Sequence, residues 1–320
     1  MAVTIIIVAY DSGAFLQDCV NALARQTYSD FSAAIVDNAS RDGAVEALVL
    51  PDDRFRICPM GRNLGFAAAN NWAVQRATAD YVVLLNPDTQ VQSGWLAALV
   101  ACVVANPGAA SIGSVQRRLD DPSRLDGIGD VWHLAGLAWR SGEGRKAPSE
   151  ISDGEIFGPC AAAALYRREA FLAVGGFDER FFCYMEDVDL AFRLRLAGHS
   201  SVRAGGAEVL HAGSGTTGRT SDFSLYHGHR NRVWTFLKNT PTSVFPFALA
   251  YHLAFNILYA LRAVHRGMWH PIFRAYRDAW RGRAPFLAER REHPPIMVMS
   301  EFLRIAAWTP WAPIFRSERP

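Results

Sequence analysis

Asp88 closes the tripeptide Asn86-Pro87-Asp88, directly after the apolar run Tyr81-Val82-Val83-Leu84-Leu85. A short β-branched run of this kind reads as a buried strand, and Pro87 both restricts Asn86 to extended geometry and ends the ladder. Asp88 therefore emerges at a strand's carboxyl end, where open α/β sheets bind their ligands and a carboxylate can hold a metal ion. An Asn-Pro-Asp turn with no ligand is the plainer reading of the tripeptide alone. A second acidic group, Glu186, Asp187 and Asp189, opens a segment with helical spacing of Leu190, Leu194 and Ala197 that Gly198 terminates. Acids complement the dipole of a first turn, which accounts for one of the three but not for all. A carboxylate ionised near neutral pH at such a point suits a general base acting on a hydroxyl. Just before it, Gly175-Gly176-Phe177 supplies a tight turn that can deliver the helix end into a cleft.

These residues need a frame. Residues 3–9 are apolar but for Thr4, and 15–26 follow with helical spacing; 31–36 read as a second strand, 45–50 as a short helix and 55–58 as a third strand. An Ala-rich helix over 65–77 leads into the strand before Asp88, and 94–104 form another helix. Such alternation predicts a parallel sheet with right-handed crossovers. Residues 116–155 turn to Gly, Pro, Asp and Arg with Trp132 and Trp139, a long irregular stretch of the functional or mobile kind. Gly213-Ser214-Gly215-Thr216-Thr217-Gly218 lies too late to open a dinucleotide fold, and is either a solvent loop or a flap over a diphosphate beside His211.

The chain has 320 residues, half of them apolar, room for one large α/β domain with appendages or for two domains. A net charge of +2 argues against nucleic acid as a partner. The charge is uneven: residues 226–294 hold eleven Lys or Arg against three acids. Five scattered cysteines without a Cys-x-x-Cys pair read as reduced thiols of a cytosolic protein, and no basic segment precedes the first apolar run as a secretion signal would require. Residues 245–261 are apolar but interrupted by His252 and Asn256, and Arg262, Arg266, Trp269, Arg274, Tyr276, Arg277 and Trp280 follow. Arg interleaved with aromatics beside an apolar helix reads as an interfacial membrane element. A core helix with a basic oligomer interface and a single transmembrane pass remain the alternatives.

Tyr10 at the first strand end, Val36-Asp37-Asn38-Ala39-Ser40, Asn63-Leu64-Gly65-Phe66-Ala67, Leu85-Asn86-Pro87-Asp88, Gly175-Gly176-Phe177-Asp178 and Glu186-Asp187-Val188-Asp189-Leu190 occur in one order. In that order the chain resembles bacterial family-two glycosyltransferases, most of all the rhamnosyltransferases that extend lipid-linked polysaccharide precursors. The resemblance covers roughly the first 240 residues. It implies a GT-A fold, a Rossmann-like mixed sheet flanked by helices, over 1–225, while composition reads 226–320 as an amphipathic helical, basic, membrane-associating extension. It implies donor contacts from Tyr10 and Asp37 to base and ribose, from Arg62, Asn63 and Gly65, and from Asn86 and Asp88. Asp88 and His211 would ligate Mg²⁺ or Mn²⁺, Arg230 would meet a diphosphate, and Asp187 would be the base with Glu186 close behind and Asp189 structural. Asn86 stands where Asp-x-Asp is usual, as in the rhamnosyltransferase-like members, so metal dependence is the property most open to change. The expected reaction is inverting transfer of a sugar, L-rhamnose from dTDP-rhamnose or a hexose from a UDP-sugar, to a saccharide acceptor on polyprenyl diphosphate. The expected setting is the inner face of the cell membrane, with homo-oligomerisation possible. A nucleotidyltransferase would need a Gly-rich, Lys-containing loop where Tyr10-Asp11-Ser12-Gly13 stands, and a processive synthase a Gln-x-x-Arg-Trp motif. A carbohydrate-binding scaffold would not need Asp88, Glu186, Asp187 and His211 together.

Overall fold

The computed structural model describes residues 1–213 and 221–309. In chain order the elements are β1 Val3–Ala9, α1 Phe15–Ala24, β2 Phe31–Asp37, β3 Phe55–Pro59, α2 Gly65–Arg76, β4 Tyr81–Leu85, β5 Thr89–Val91 and α3 Trp95–Ala105. Next come β6 Ala109–Arg118, β7 Leu125–Gly127, β8 Asp130–His133, β9 Leu137–Arg140, β10 Gly154–Glu155, β11 Ala163–Arg167, α4 Arg168–Ala173, α5 Glu186–Leu196 and β12 Ser200–His211. The described chain ends in helices: α6 Asp222–Asn239, α7 Phe245–His265, α8 Trp269–Arg281, α9 Arg283–Glu292 and α10 Met299–Ile305.

The main sheet runs β10-β12-β6-β11-β4-β1-β2-β3, with β5 on β12 and β7 on β6, while β8 and β9 form a separate hairpin. The first half is parallel as expected: β4, β1, β2 and β3 share one direction. Beyond it the sheet is mixed, because β11 runs antiparallel to both β4 and β6. Strand β4 is buried along its whole length for a simple reason. Its side chains alternate between two cores: Tyr81, Val83 and Leu85 pack with α1 and α3, Val82 and Leu84 with α2 and α5.

Two expectations need correction. Residues 45–47 lie in turns and 48–50 in irregular chain rather than a helix: Ala47 N–H meets the Gly43 carbonyl at 3.0 Å and Leu48 N–H the Val45 carbonyl at 3.2 Å, and the segment is too short to propagate further. Residues 116–155 are not irregular throughout: they carry the end of β6 and strands β7 to β10, too short to show a period. The end of α5 is as read. Gly198 is left-handed at φ +87° and returns its N–H to the Arg195 carbonyl at 2.9 Å.

The C-terminal helices do not stand apart. Phe236 of α6, Ala248 of α7 and Phe302 of α10 share one apolar cluster with Trp132, Phe157 and the α5 residues Val188 and Phe192. Asp189, fully buried, ties α5 to α6 by accepting from Asn239 Nδ2 at 2.7 Å and pairing with Arg193 and Lys238.

Candidate active site

At the carboxyl ends of β1 and β4 lies a cavity of about 600 Å³, bordered by Tyr10, Asn38, Asn86, Asp88, Arg140 and His211. Asp88 is buried, and its Oδ1 lies 3.3 Å from His211 Nε2, an ion-pair contact poorly aligned for a hydrogen bond. His211 comes from the end of β12, which pairs with the β5 residue Thr89 and so lands beside Asp88. Its other nitrogen, Nδ1, is 2.7 Å from Asp126 Oδ2, and Arg140 pairs with the same carboxylate. Burial works against charge on His211, but Asp126 and Asp88 outweigh it and lift the imidazole above its ordinary value. A carboxylate holding one imidazole nitrogen while the other faces a second carboxylate is the arrangement that orients a metal-ligating histidine. The residues therefore fit a divalent cation held by Asp88 and His211. Among the described residues no three His, Cys, Asp or Glu converge as a cage, so diphosphate oxygens and water would complete the shell.

On the opposite wall, residues 182–185 lead into α5. Phe182, Tyr184 and Met185 all have positive φ, at 67°, 70° and 71°, a strained path for side-chain-bearing residues. Asn231, fully buried on α6, holds that path by donating from Nδ2 to the carbonyls of Phe181, Cys183 and Tyr184 at 2.8–2.9 Å. The Phe182 carbonyl accepts from Ala67 N–H, and Gly65 leaves room for it: a Cβ there would meet that oxygen at 2.7 Å. Asn38 closes the frame from β2, donating to Asn63 Oδ1 at 2.9 Å and accepting from Leu64 N–H at 2.8 Å.

Three acids interact here, Glu186 and Asp187 from the loop's end and Asp130 from β8, and they differ in their surroundings. Glu186 is buried with Oε2 unpartnered, and burial, then Asp187, drive its carboxyl far above the usual range. Asp130, at the start of β8, is raised in the same way by burial and by Asp187. Asp187 is also raised by burial, yet it is half-buried and keeps stabilising partners: Val188 N–H at 2.8 Å, Ala161 N–H at 3.2 Å and the nearby Arg140 charge. Of the three it is the one with backbone donors and a cation to stabilise its charge. Arg140 links the two walls, since its Nη1 is 3.4 Å from His211.

The residues singled out from sequence do not all meet. Tyr10, Asn63, Gly65, Asn86, Asp88 and His211 border one cavity. Arg62 is exposed outside it, and Asp37 accepts at Oδ1 from Ser40 N–H at 2.9 Å, closing the turn after β2. Arg230 turns away too, stacking 4.4 Å over Trp234 and donating to the Phe181 carbonyl at 3.1 Å. All but Gly213 of the glycine-rich segment 213–218 lies outside the described residues. Sequence reading assigned no role to Asn38, Asp126, Asp130, Arg140 or Asn231. Three of these sit in the 116–155 stretch, whose composition marked it as functional without saying which residue acts.

The family model for Glycosyl transferase family 2 matches residues 4–175. The chain belongs to that family. It is 33% identical over 252 residues to N-acetylglucosaminyl-diphospho-decaprenol L-rhamnosyltransferase of Mycobacterium tuberculosis, covering 71% of this chain and 81% of that one. It is 29% identical over 223 residues to the O-antigen biosynthesis protein RfbC of Myxococcus xanthus, covering 65% of this chain and 17% of the other. Among solved structures, the mannosyltransferase PcManGT from Pyrobaculum calidifontis, in complex with GDP-Man and Mn²⁺, superposes with a TM-score of 0.52 at 18% identity over 91% of this chain and 86% of its own. GalNAc-T7 with UDP, GalNAc and Mn²⁺ gives a TM-score of 0.60 at 15% identity over 74% of this chain, which spans 48% of that one. The sheet is thus a GT-A fold with added C-terminal helices, and the protein is a glycosyltransferase of rhamnosyltransferase-like type.

Proposed function

We propose that this glycosyltransferase moves L-rhamnose from dTDP-rhamnose, with inversion, to a hydroxyl of a saccharide carried on polyprenyl diphosphate in cell-envelope polysaccharide synthesis. The observation that carries the reading is the convergence of Asp88 and His211 on one wall with the Asp187 loop on the other, bridged by Arg140. The donor lies along the β1 and β4 ends, its base against Tyr10, its diphosphate toward Asp88 and His211. Asp187 takes the proton of the acceptor hydroxyl as that oxygen bonds to the anomeric carbon, and the bond from that carbon to the diphosphate breaks from the opposite side. Mg²⁺ or Mn²⁺, when bound, neutralises charge on the leaving diphosphate. Burial raises the basicity of Asp187, while the N–H groups of Ala161 and Val188 and the Arg140 charge favour its ionised form.

The extension over 226–320 brings the site to the inner face of the membrane. Helix α7 is long and apolar enough to cross a bilayer, yet one face is docked: His252 Nδ1 meets the Ala135 carbonyl at 2.9 Å and stacks on Phe236. Its other face exposes Phe247, Leu253, Ile257, Leu258 and Leu261, and α8 continues with Trp269, Phe273 and Trp280 beside Arg274, Arg277 and Arg281. A half-docked apolar helix edged with Arg and Trp fits a bilayer surface.

A donor panel tests the proposal: labelled dTDP-rhamnose and UDP-hexoses, each with a polyprenyl-diphosphate-linked GlcNAc acceptor, with and without Mg²⁺ or Mn²⁺. Transfer from dTDP-rhamnose is expected. Transfer from a UDP-hexose alone replaces the donor assignment, and neither transfer nor slow donor hydrolysis with any donor defeats the enzyme reading.

A further inference from the structure

Behind the catalytic loop lies a second cavity, about 240 Å³, walled by Trp139, Met185, Ser224, His229, Arg232 and Tyr259. It is back to back with the donor cavity through three pairs of neighbouring residues. Arg140, Tyr184 and Phe223 face the donor side; Trp139, Met185 and Ser224 face this one.

Arg232 sets its chemistry. The residue is 93% buried on α6, and among the described residues no carboxylate pairs with it. Its Nη2 donates to Asn256 Oδ1 and, at 3.0 Å, to the Tyr276 hydroxyl, and the guanidinium lies 5.0 Å from the Tyr259 ring centre. Its Nε has no partner. The surrounding titratable groups bring no negative charge: Tyr276 is pushed up by burial, and burial and Arg232 hold His229 down to about 3 and His252 to about 4. A buried cation surrounded by neutral groups is costly unless an anion joins it. A further donor, the buried indole N–H of Trp139, is likewise unpartnered.

We infer that this cavity binds the diphosphate of the lipid-linked acceptor, with Arg232 as its principal contact and the Trp139 N–H as a second donor. The inference rests on the glycosyl-transfer reading above. An arginine fork suits phosphate oxygens, and Asn256 and Tyr259 belong to α7, whose exposed Ile257, Leu258 and Leu261 continue outward as a track for the prenyl chain. Met185, on this cavity's wall, lies two residues before Asp187, so the loop that carries the base also borders the cavity. Arg230, which sequence reading gave this task, is engaged with the Phe181 carbonyl, so the role passes two residues along α6.

The test titrates the full-length protein with decyl diphosphate, decyl monophosphate, inorganic pyrophosphate and UDP with Mn²⁺, comparing wild type, Arg232→Met, Arg232→Lys and Trp139→Phe. Decyl diphosphate is expected to bind without displacing UDP and more tightly than decyl monophosphate or pyrophosphate. Arg232→Met should weaken it about tenfold or more, with Arg232→Lys and Trp139→Phe between. The melting temperature of Arg232→Met should hold or rise, because an apolar side chain of similar length removes a buried charge; a purely structural arginine would give a fall. Wild-type affinity for decyl diphosphate in folded Arg232→Met, or in Arg232→Lys and Trp139→Phe should the first variant not fold, overturns the inference. So does one-for-one displacement by UDP, which places the diphosphate in the donor cavity, and so does pyrophosphate binding as tightly, which removes the lipid as its source. Failure of sugar transfer in the wild type is a separate result that strikes the glycosyl-transfer reading, since these titrations need no turnover.

Discussion

His211 and Asp126 show how a single residue's surroundings decide what it can do. Asp126 touches no substrate in the proposed reaction, yet it holds Nδ1 of His211 and so leaves Nε2 to face Asp88. Asp126→Asn should therefore lower Mn²⁺ affinity about 10- to 100-fold while leaving the fold intact, measured by calorimetry with UDP present. Unchanged affinity would mean that His211 is not a ligand. Asp88 was legible from sequence because a proline after an apolar strand fixes where its carboxylate appears. Asp126 was not, because a three-residue strand has no period and its partner His211 is 85 residues away. Asp37 and Arg230 illustrate the converse. Their residue types permit ligand contacts, and only coordinates show that a turn and a row of carbonyls already use them.

At the scale of elements, the junction of the 182–185 loop with α5 and α6 carries the strain of the site. Three left-handed residues are held there largely by one amide, and each such residue costs about 1–3 kcal/mol. Asn231→Ala should destabilise the protein by about 2–4 kcal/mol in denaturant unfolding and lower turnover more than it lowers nucleotide affinity. Equal turnover would separate the loop from catalysis. A second tie lies nearby, where Asp178 meets Arg180 and Lys238. Burial would raise the Asp178 carboxyl, but these cations hold it down to about 2. A depressed folded pKa contributes stability that is present above the unfolded value near 3.8 and is lost as pH falls toward 2. That contribution is on the order of 2 kcal/mol, so Asp178→Asn should be less stable than wild type at pH 6 and nearly equal at pH 2. A gap that persists at pH 2 would assign the loss to packing. The βα alternation was readable because buried parallel strands and amphipathic helices have distinct periods. The antiparallel β11 was not, since a buried strand's direction leaves no mark in its side chains.

For the whole molecule, one shared core joins α5 and the β8–β9 hairpin to the C-terminal helices, and it leaves the apolar face of α7 and the aromatic–arginine face of α8 outward on the same chain. Ile257→Asp with Leu261→Asp should cut binding to anionic phospholipid vesicles at least tenfold in a sedimentation assay while leaving nucleotide affinity unchanged. Undiminished vesicle binding would assign that face to another copy of the chain. The sequence showed the composition of this region but not which side of α7 is docked, which depends on His252 and Asn256 finding partners on β8–β9 and α6. The account as a whole depends on a donor held by Asp88 and His211 and a proton taken by Asp187. The most direct measurement is labelled-sugar transfer by Asp187→Asn beside wild type, with UDP and dTDP affinities read on the same preparations. Turnover lower by about 100-fold or more with nucleotide affinity retained is the predicted result. Wild-type turnover in the variant would contradict it.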